Sequence, residues 1–300
     1  MSLSHFSGKT LVICPHFDDA CFSVGGLLLK KTSEEVTILT VFSKSQYAPN
    51  LKPLKPFLKA NPILNLNLLR SIIAEWVSKE RQKEDWRFCD SLGVVQSMLP
   101  FSDFSLRKYR TAHSRTLQSN ATCLVDNVER DPLYDDVCEA IAKYVFSGSY
   151  DSILCPLAIG DHVDHIMVLK AFLQVIKENK DIPVGLFLYE DLPYASHYKL
   201  DFISSLALQR TGRNSPLFID ITTEMPLKLQ KLDIYRSQFE PSVKEKITFH
   251  AKRLSTLGPK KVDTAVRYSE RLWRINVFFN YRIVVEESVR STRFTGGAKE

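Results

Sequence analysis

Two short apolar runs set the frame for this chain: residues 10–14, TLVIC, and residues 152–156, SILCP. Each is bounded like a fully buried strand and is too short for a buried helix. A polar cluster follows each run at once, PHFDDA after the first and LAIGDHVDH after the second. Each cluster then leads into a stretch of helical spacing. Strand, polar turn and helix, with a further strand predicted at 36–42 (VTILTVF), make the rhythm of a βαβ unit. The fold class expected is α/β: a mostly parallel sheet flanked by helices. In open sheets of this kind ligands bind beyond the carboxyl ends of the strands, and both polar clusters fall there.

Between these anchors the pattern is uneven. Residues 47–67 carry Pro49, Pro53, Pro56 and Pro62 and read as a long irregular excursion. The spacing predicts a helix over 68–92, with Leu69, Ile72, Ile73, Trp76 and Val77 sharing a face and Gly93 as its stop. Residues 101–127 are polar and without period. Helices are predicted at 134–146, 166–176, 227–239 and 243–257, and strands at 183–189 and 216–221. No internal repeat and no composition break divides the chain. One domain over 1–300 is expected, with about 291–300 as a tail and the two polar excursions shaping specificity.

The net charge of +6 comes from scattered residues. Lys30-Lys31 and Lys260-Lys261 are pairs rather than a stripe with interleaved aromatics, so nucleic acid is not an expected partner. Six cysteines without a CxxC pair argue against a disulfide framework and for a reducing compartment. The first ten residues lack a signal-peptide pattern, and no run reaches transmembrane length, so a cytoplasmic location without a membrane span is expected. A homo-oligomer stays open.

The chemistry lies in the two clusters. His16 and Asp19, three apart on a turn leaving a strand, can face one metal ion, and imidazole and carboxylate suit zinc. The plain alternative is a packed loop histidine and two acids capping a helix. His162, Asp164 and His165 follow the second strand. His165 can complete a set of three protein ligands, leaving a position open, and a nearby acid can hold an imidazole in one tautomer. Here the alternative is that Asp161 and Asp164 cap the next helix. No GxGxxG or P-loop accompanies the first strand, so no nucleotide is implied.

PHFDDA with a following GG, and then GDHVDH, resemble the PIG-L/LmbE-like family of metal-dependent de-N-acetylases. Segments ERQKEDWRFCDSLG, LYEDLPY and KLQKLDIYRSQF stand in that family's order. The resemblance implies a Rossmann-like α/β fold and a zinc-dependent hydrolase of a linear amide C–N bond, removing an acetyl group from an N-acetylated sugar or glycoconjugate. It implies zinc, or ferrous iron, held by His16, Asp19 and His165. It further implies Asp18 as the general base, His162 as the group that steadies the oxyanion or protonates the departing amine, and Asp164 as the acid orienting His162. Arg81 matches an arginine lining the substrate site, against the alternative of a solvated helix face. Phe17 and Ala20 depart from the family's commonest first motif, which has proline and glutamate there. Two other functions stay open: an amidase for a larger amide such as a thiol conjugate, and a metal-binding module without catalysis. Glu190, Asp191 and Tyr194 are weaker candidates for substrate contact. His113, His197, Tyr235 and Gln238 are weaker still.

Overall fold

The computed structural model describes residues 8–31, 36–47, 66–107, 128–179, 185–212, 215–238, 240–258 and 266–275. Its strands are Thr10–Cys14 (β1), Val36–Thr40 (β2), Val95–Met98 (β3), Ser152–Pro156 (β4), Gly185–Tyr189 (β5), Pro216–Asp220 (β6) and Ser269–Arg274 (β7). They form one sheet in the order β3-β2-β1-β4-β5-β7-β6, parallel except where β7 runs against β5 and β6. β1 and β4 are buried along their whole length, as strands covered on both faces must be, which is why they read as unbroken apolar runs.

The helices are Asp19–Lys30 (α1), Leu66–Asp90 (α2), Tyr134–Ser147 (α3), Val163–Glu178 (α4), Leu200–Thr211 (α5), Met225–Leu232 (α6) and Ser242–Ser255 (α7). The chain leaves β1 toward β2 on one side and returns at β4 on the other. The sheet order therefore reverses between β1 and β4, the switch point at whose carboxyl ends open sheets bind their ligands. Both polar clusters stand at this switch point.

Two strands escape the sequence pattern. β3 is a partly exposed edge, VQSM, with too few apolar residues to show a period. β7, SERLWR, carries charges that are buried in the fold: Glu270 and Arg271 are each 3% exposed. The helix predicted over 227–239 ends at Leu232, and the following turns aim Tyr235, Ser237 and Gln238 back at α2. The predicted tail lies outside the described residues, as does most of the excursion at 47–67.

Glu270 explains the Gly25-Gly26 pair. α1 is kinked at Val24, and beyond the kink the N–H groups of Gly26 and Leu27 donate to the two Glu270 oxygens at 2.7 and 2.8 Å. The Lys228 ammonium reaches Glu270 at 2.8 Å. A Cβ on Gly26 would stand 2.6 Å from the Ile221 side chain, so no larger residue fits. Glu270→Ala strands a buried ammonium and two N–H groups, and should cost about 3–5 kcal/mol in urea unfolding. Lys228→Met/Glu270→Gln, which removes both charges together, should cost less. A double variant as unstable as Glu270→Ala would show that the ion pair is not what the single change disrupts.

Candidate active site

The first cluster is shaped by Asp19. Its Oδ2 accepts the His16 backbone N–H at 2.7 Å, which closes the turn between β1 and α1. His16 Nδ1 lies 3.7 Å from that same oxygen. Asp18 sits at the N-cap of α1 but makes no capping bond, so its carboxylate is not spent on the helix. It is 19% exposed and faces Arg81 Nη2 at 3.7 Å.

The second cluster follows a strained turn. Ala158, Gly160 and Asp161 all have positive φ, and a Cβ on Gly160 would meet Tyr194 at 2.9 Å. Neither Asp161 nor Asp164 is the residue that caps α4. His162 does so, its Nδ1 accepting the Asp164 N–H at 3.2 Å. That bond leaves the ring proton on Nε2. Burial holds the His162 imidazole well below its usual pKa, so it is a neutral donor near pH 7.

The two clusters meet. One donor atom from each of His16, Asp19 and His165 lies within 4.8 Å of the others. His165 Nε2 is 3.5 Å from Asp19 Oδ1. The 3.7 and 3.5 Å separations of the two histidines from Asp19 are close to the roughly 3.4 Å edge between ligands at about 2.1 Å in tetrahedral zinc sites. His165 is 1% exposed, and its Nε2 has no hydrogen-bond partner. Its Nδ1 is held by Asp191 at 2.6 Å. Burial alone would lower the His165 pKa, but the carboxylates of Asp19 and Asp191 outweigh it and raise it to about 9. The pocket thus calls for a positive charge: a proton in the free protein, or a metal ion in its place. The donor set fits a divalent metal.

Asp164 does a different job from the one read in the sequence. Its Oδ2 accepts His16 Nε2 at 2.9 Å, whereas His162 Nδ1 is 3.9 Å away. It therefore orients His16 and leaves that ring's Nδ1 turned toward Asp19. Asp164 also accepts the Phe104 N–H at 3.0 Å and the Arg107 guanidinium at 2.6 Å. Burial by itself would raise its pKa; Arg107 and His16 more than reverse this and hold it well below the usual carboxylate range.

Arg81 is 4% exposed, which excludes the solvated face. Its Nε donates to Gln238 at 2.6 Å and its Nη1 to Ser45 at 2.8 Å. Glu84 in turn binds Ser237 and Gln238, so segment 235–238 fixes the arginine beside Asp18. Asp191, weighed in the sequence as a substrate contact, holds His165 and the Ile159 N–H instead. Glu190 points the other way, into a buried set with Arg271, Trp273 and His250. The Tyr194 ring stands 5.8 Å from His165 and 6.4 Å from His162, at the site. Tyr235 is tied to Asp85, His197 is exposed, and His113 lies outside the described residues. No local signal in the sequence marks Arg107, which stands in a polar stretch without period.

The family model for "PIG-L: GlcNAc-PI de-N-acetylase" matches residues 11–176, a span that holds both clusters. The chain is 30% identical over 248 residues to 2'-N-acetylparomamine deacetylase of Streptomyces fradiae, covering 82% of this chain and 79% of that protein. A deacetylase of teicoplanin biosynthesis shares the fold, with a TM-score of 0.62 and 23% identity, over 89% of this chain and 97% of that one. A zinc-inhibited form of teicoplanin deacetylase superposes with a TM-score of 0.61 at 22% identity, over 89% and 97% of the two chains. Among the described residues no helix is long and apolar enough to cross a membrane. With the motifs, the sheet and a relative of this identity in agreement, the chain belongs to the PIG-L family and is a metal-dependent de-N-acetylase.

Proposed function

We propose that the chain uses zinc, held by His16, Asp19 and His165, to remove the acetyl group from an N-acetylated amino sugar within a larger conjugate. The observation that carries the metal assignment is the buried, unpartnered His165 Nε2 facing Asp19, beside an Asp18 carboxylate that is not used to cap α1. Two imidazoles and one carboxylate suit zinc, and ferrous iron is the alternative. The relative that deacetylates 2'-N-acetylparomamine supports the sugar assignment.

When bound, the metal supplies Lewis acidity that polarises the amide carbonyl and makes water a better nucleophile. Asp18 takes a proton from the attacking water. His162, neutral and with its Nε2–H free of the capping bond, donates to the oxyanion developing on the carbonyl. Asp18 then passes that proton to the amine nitrogen as the C–N bond breaks, so that the amine leaves and the water's remaining atoms depart with the acetyl group as acetic acid, which ionises to acetate. Asp164 and Asp191 keep His16 and His165 in the tautomers that present Nδ1 and Nε2 to the metal. Arg81 adds a positive charge on the substrate side of Asp18. The free base and three-ligand set weigh against a closed structural site, which needs neither.

Amine release from 2'-N-acetylparomamine and from N-acetylglucosamine conjugates, measured with bound zinc, tests the assignment. Asp18→Asn should keep zinc and lose about 10²–10⁴ in kcat. His165→Ala should lose the zinc itself. Turnover in Asp18→Asn at the wild-type rate would remove Asp18 from the base role.

The raised His165 pKa has a sign that can be checked. A group whose pKa rises from its ordinary 6.5 to about 9 on folding stabilises the metal-free protein below pH 6.5 and loses that contribution as pH climbs through about 9. Zinc must displace the proton, so its apparent affinity should rise about tenfold per pH unit below 9. Titration calorimetry at pH 7.5 in buffers of different ionisation enthalpy should show about one proton released per zinc. Zero release would mean that His165 is not protonated in the free site.

A further inference from the structure

A guanidinium that touches neither the substrate side nor the metal ligands stands behind His16. Arg107, with its side chain 5% exposed, spans two buried carboxylates. Its Nη2 donates to Asp164 Oδ1 at 2.6 Å, and its Nε forms an ion pair with Asp131 Oδ2 at 3.3 Å without a hydrogen bond. Asp131 is 4% and Asp164 0% exposed at the side chain, so water cannot replace either contact cheaply. The guanidinium also lies over the Phe42 ring, 4.9 Å from its centroid, and that ring is 6.4 Å from the His16 imidazole. Asp164 divides its oxygens cleanly: Oδ1 takes Arg107, while Oδ2 takes His16 and the Phe104 N–H.

From this arrangement we infer that Arg107, braced by Asp131, is a positioning residue of the metal centre. It holds the buried Asp164 carboxylate in the one orientation that fixes His16 with Nδ1 turned toward Asp19. The inference rests on the metal assignment above. Only arginine has the planar fork to address two carboxylates from one side chain while its face stacks on an aromatic ring. Remove it, and two buried carboxylates lose their shared cation. Asp164 then has only His16 and a backbone N–H to hold it, and the imidazole is free to turn.

The test is zinc affinity of the full chain, measured by competition with a chromophoric chelator and normalised to folded protein by circular dichroism. Arg107→Met keeps bulk over Phe42 and should weaken zinc binding about 10-fold or more, the scale seen when a partner of a ligating histidine is lost. Asp131→Asn, which touches neither Asp164 nor His16, should weaken it in the same direction by less, and Arg107→Lys should recover part of the loss. In an Asp164→Asn background, Arg107→Met should have no further effect, because the two act through one contact. Zinc affinity within twofold of wild type in Arg107→Met overturns the inference and leaves the metal assignment standing. If Arg107→Met does not fold, unchanged affinity in Asp131→Asn overturns it equally. Wild-type protein that takes up no zinc would remove the metal assignment and this inference together.

Discussion

Everything at the site depends on the parallel pairing of β1 with β4. That pairing sets Thr10 against Ser152, Leu11 against Ile153 and Val12 against Leu154, and the Thr10 and Ser152 hydroxyls hydrogen-bond at 2.8 Å within it. The strands therefore end side by side. The turns that leave them carry His16, Asp18 and Asp19 from one and His162, Asp164 and His165 from the other. A separation of about 150 residues along the chain becomes one of a few ångströms because two buried strands share a ladder at the point where the sheet order reverses.

Within that frame the site is organised by carboxylates. Asp164 holds His16, Asp191 holds His165, and Asp19 stands between the two rings. So many acids in so little water are tolerable only with positive charge among them. Arg107 supplies it behind His16, Arg81 beside Asp18, and the surroundings of His165 call for it at the centre. The other side of β5 repeats the rule without catalysis. Glu190, the neighbour of Asp191, is satisfied by Arg271, Trp273 and His250. The end of β5 is thereby gripped on one side while it aims Asp191 at His165 from the other.

Four of the five parallel strands, β1, β2, β4 and β5, were legible because they are short and mostly apolar, whereas the parallel edge strand β3, VQSM, was not. β1 and β4 match their expected bounds, and α3 and α7 lie within two residues of theirs. The antiparallel β7 was not legible, since Glu270 and Arg271 look like surface residues until Lys228 and Glu190 are found opposite them. The same holds for helix 227–239. Its apolar spacing runs past Leu232, but Tyr235, Ser237 and Gln238 give up the helix for bonds to Asp85 and Glu84 on α2.

The sequence by itself determined the α/β class, the two His/Asp clusters and the chemistry such clusters can do, because residue type and local spacing are enough to mark a strand that ends in groups able to ligate a metal. Tertiary structure alone decided which partner each group takes. Asp164 turns to His16 and not to His162, which instead caps α4 with its own ring nitrogen. Asp191 is recruited to His165 from the turn after β5, and Arg107 to Asp164 from a stretch with no pattern at all. The reason is physical: a hydrogen bond or ion pair between residues far apart in sequence has no periodicity to betray it, and which acid orients which imidazole is settled only when the strands, turns and helices are packed around them.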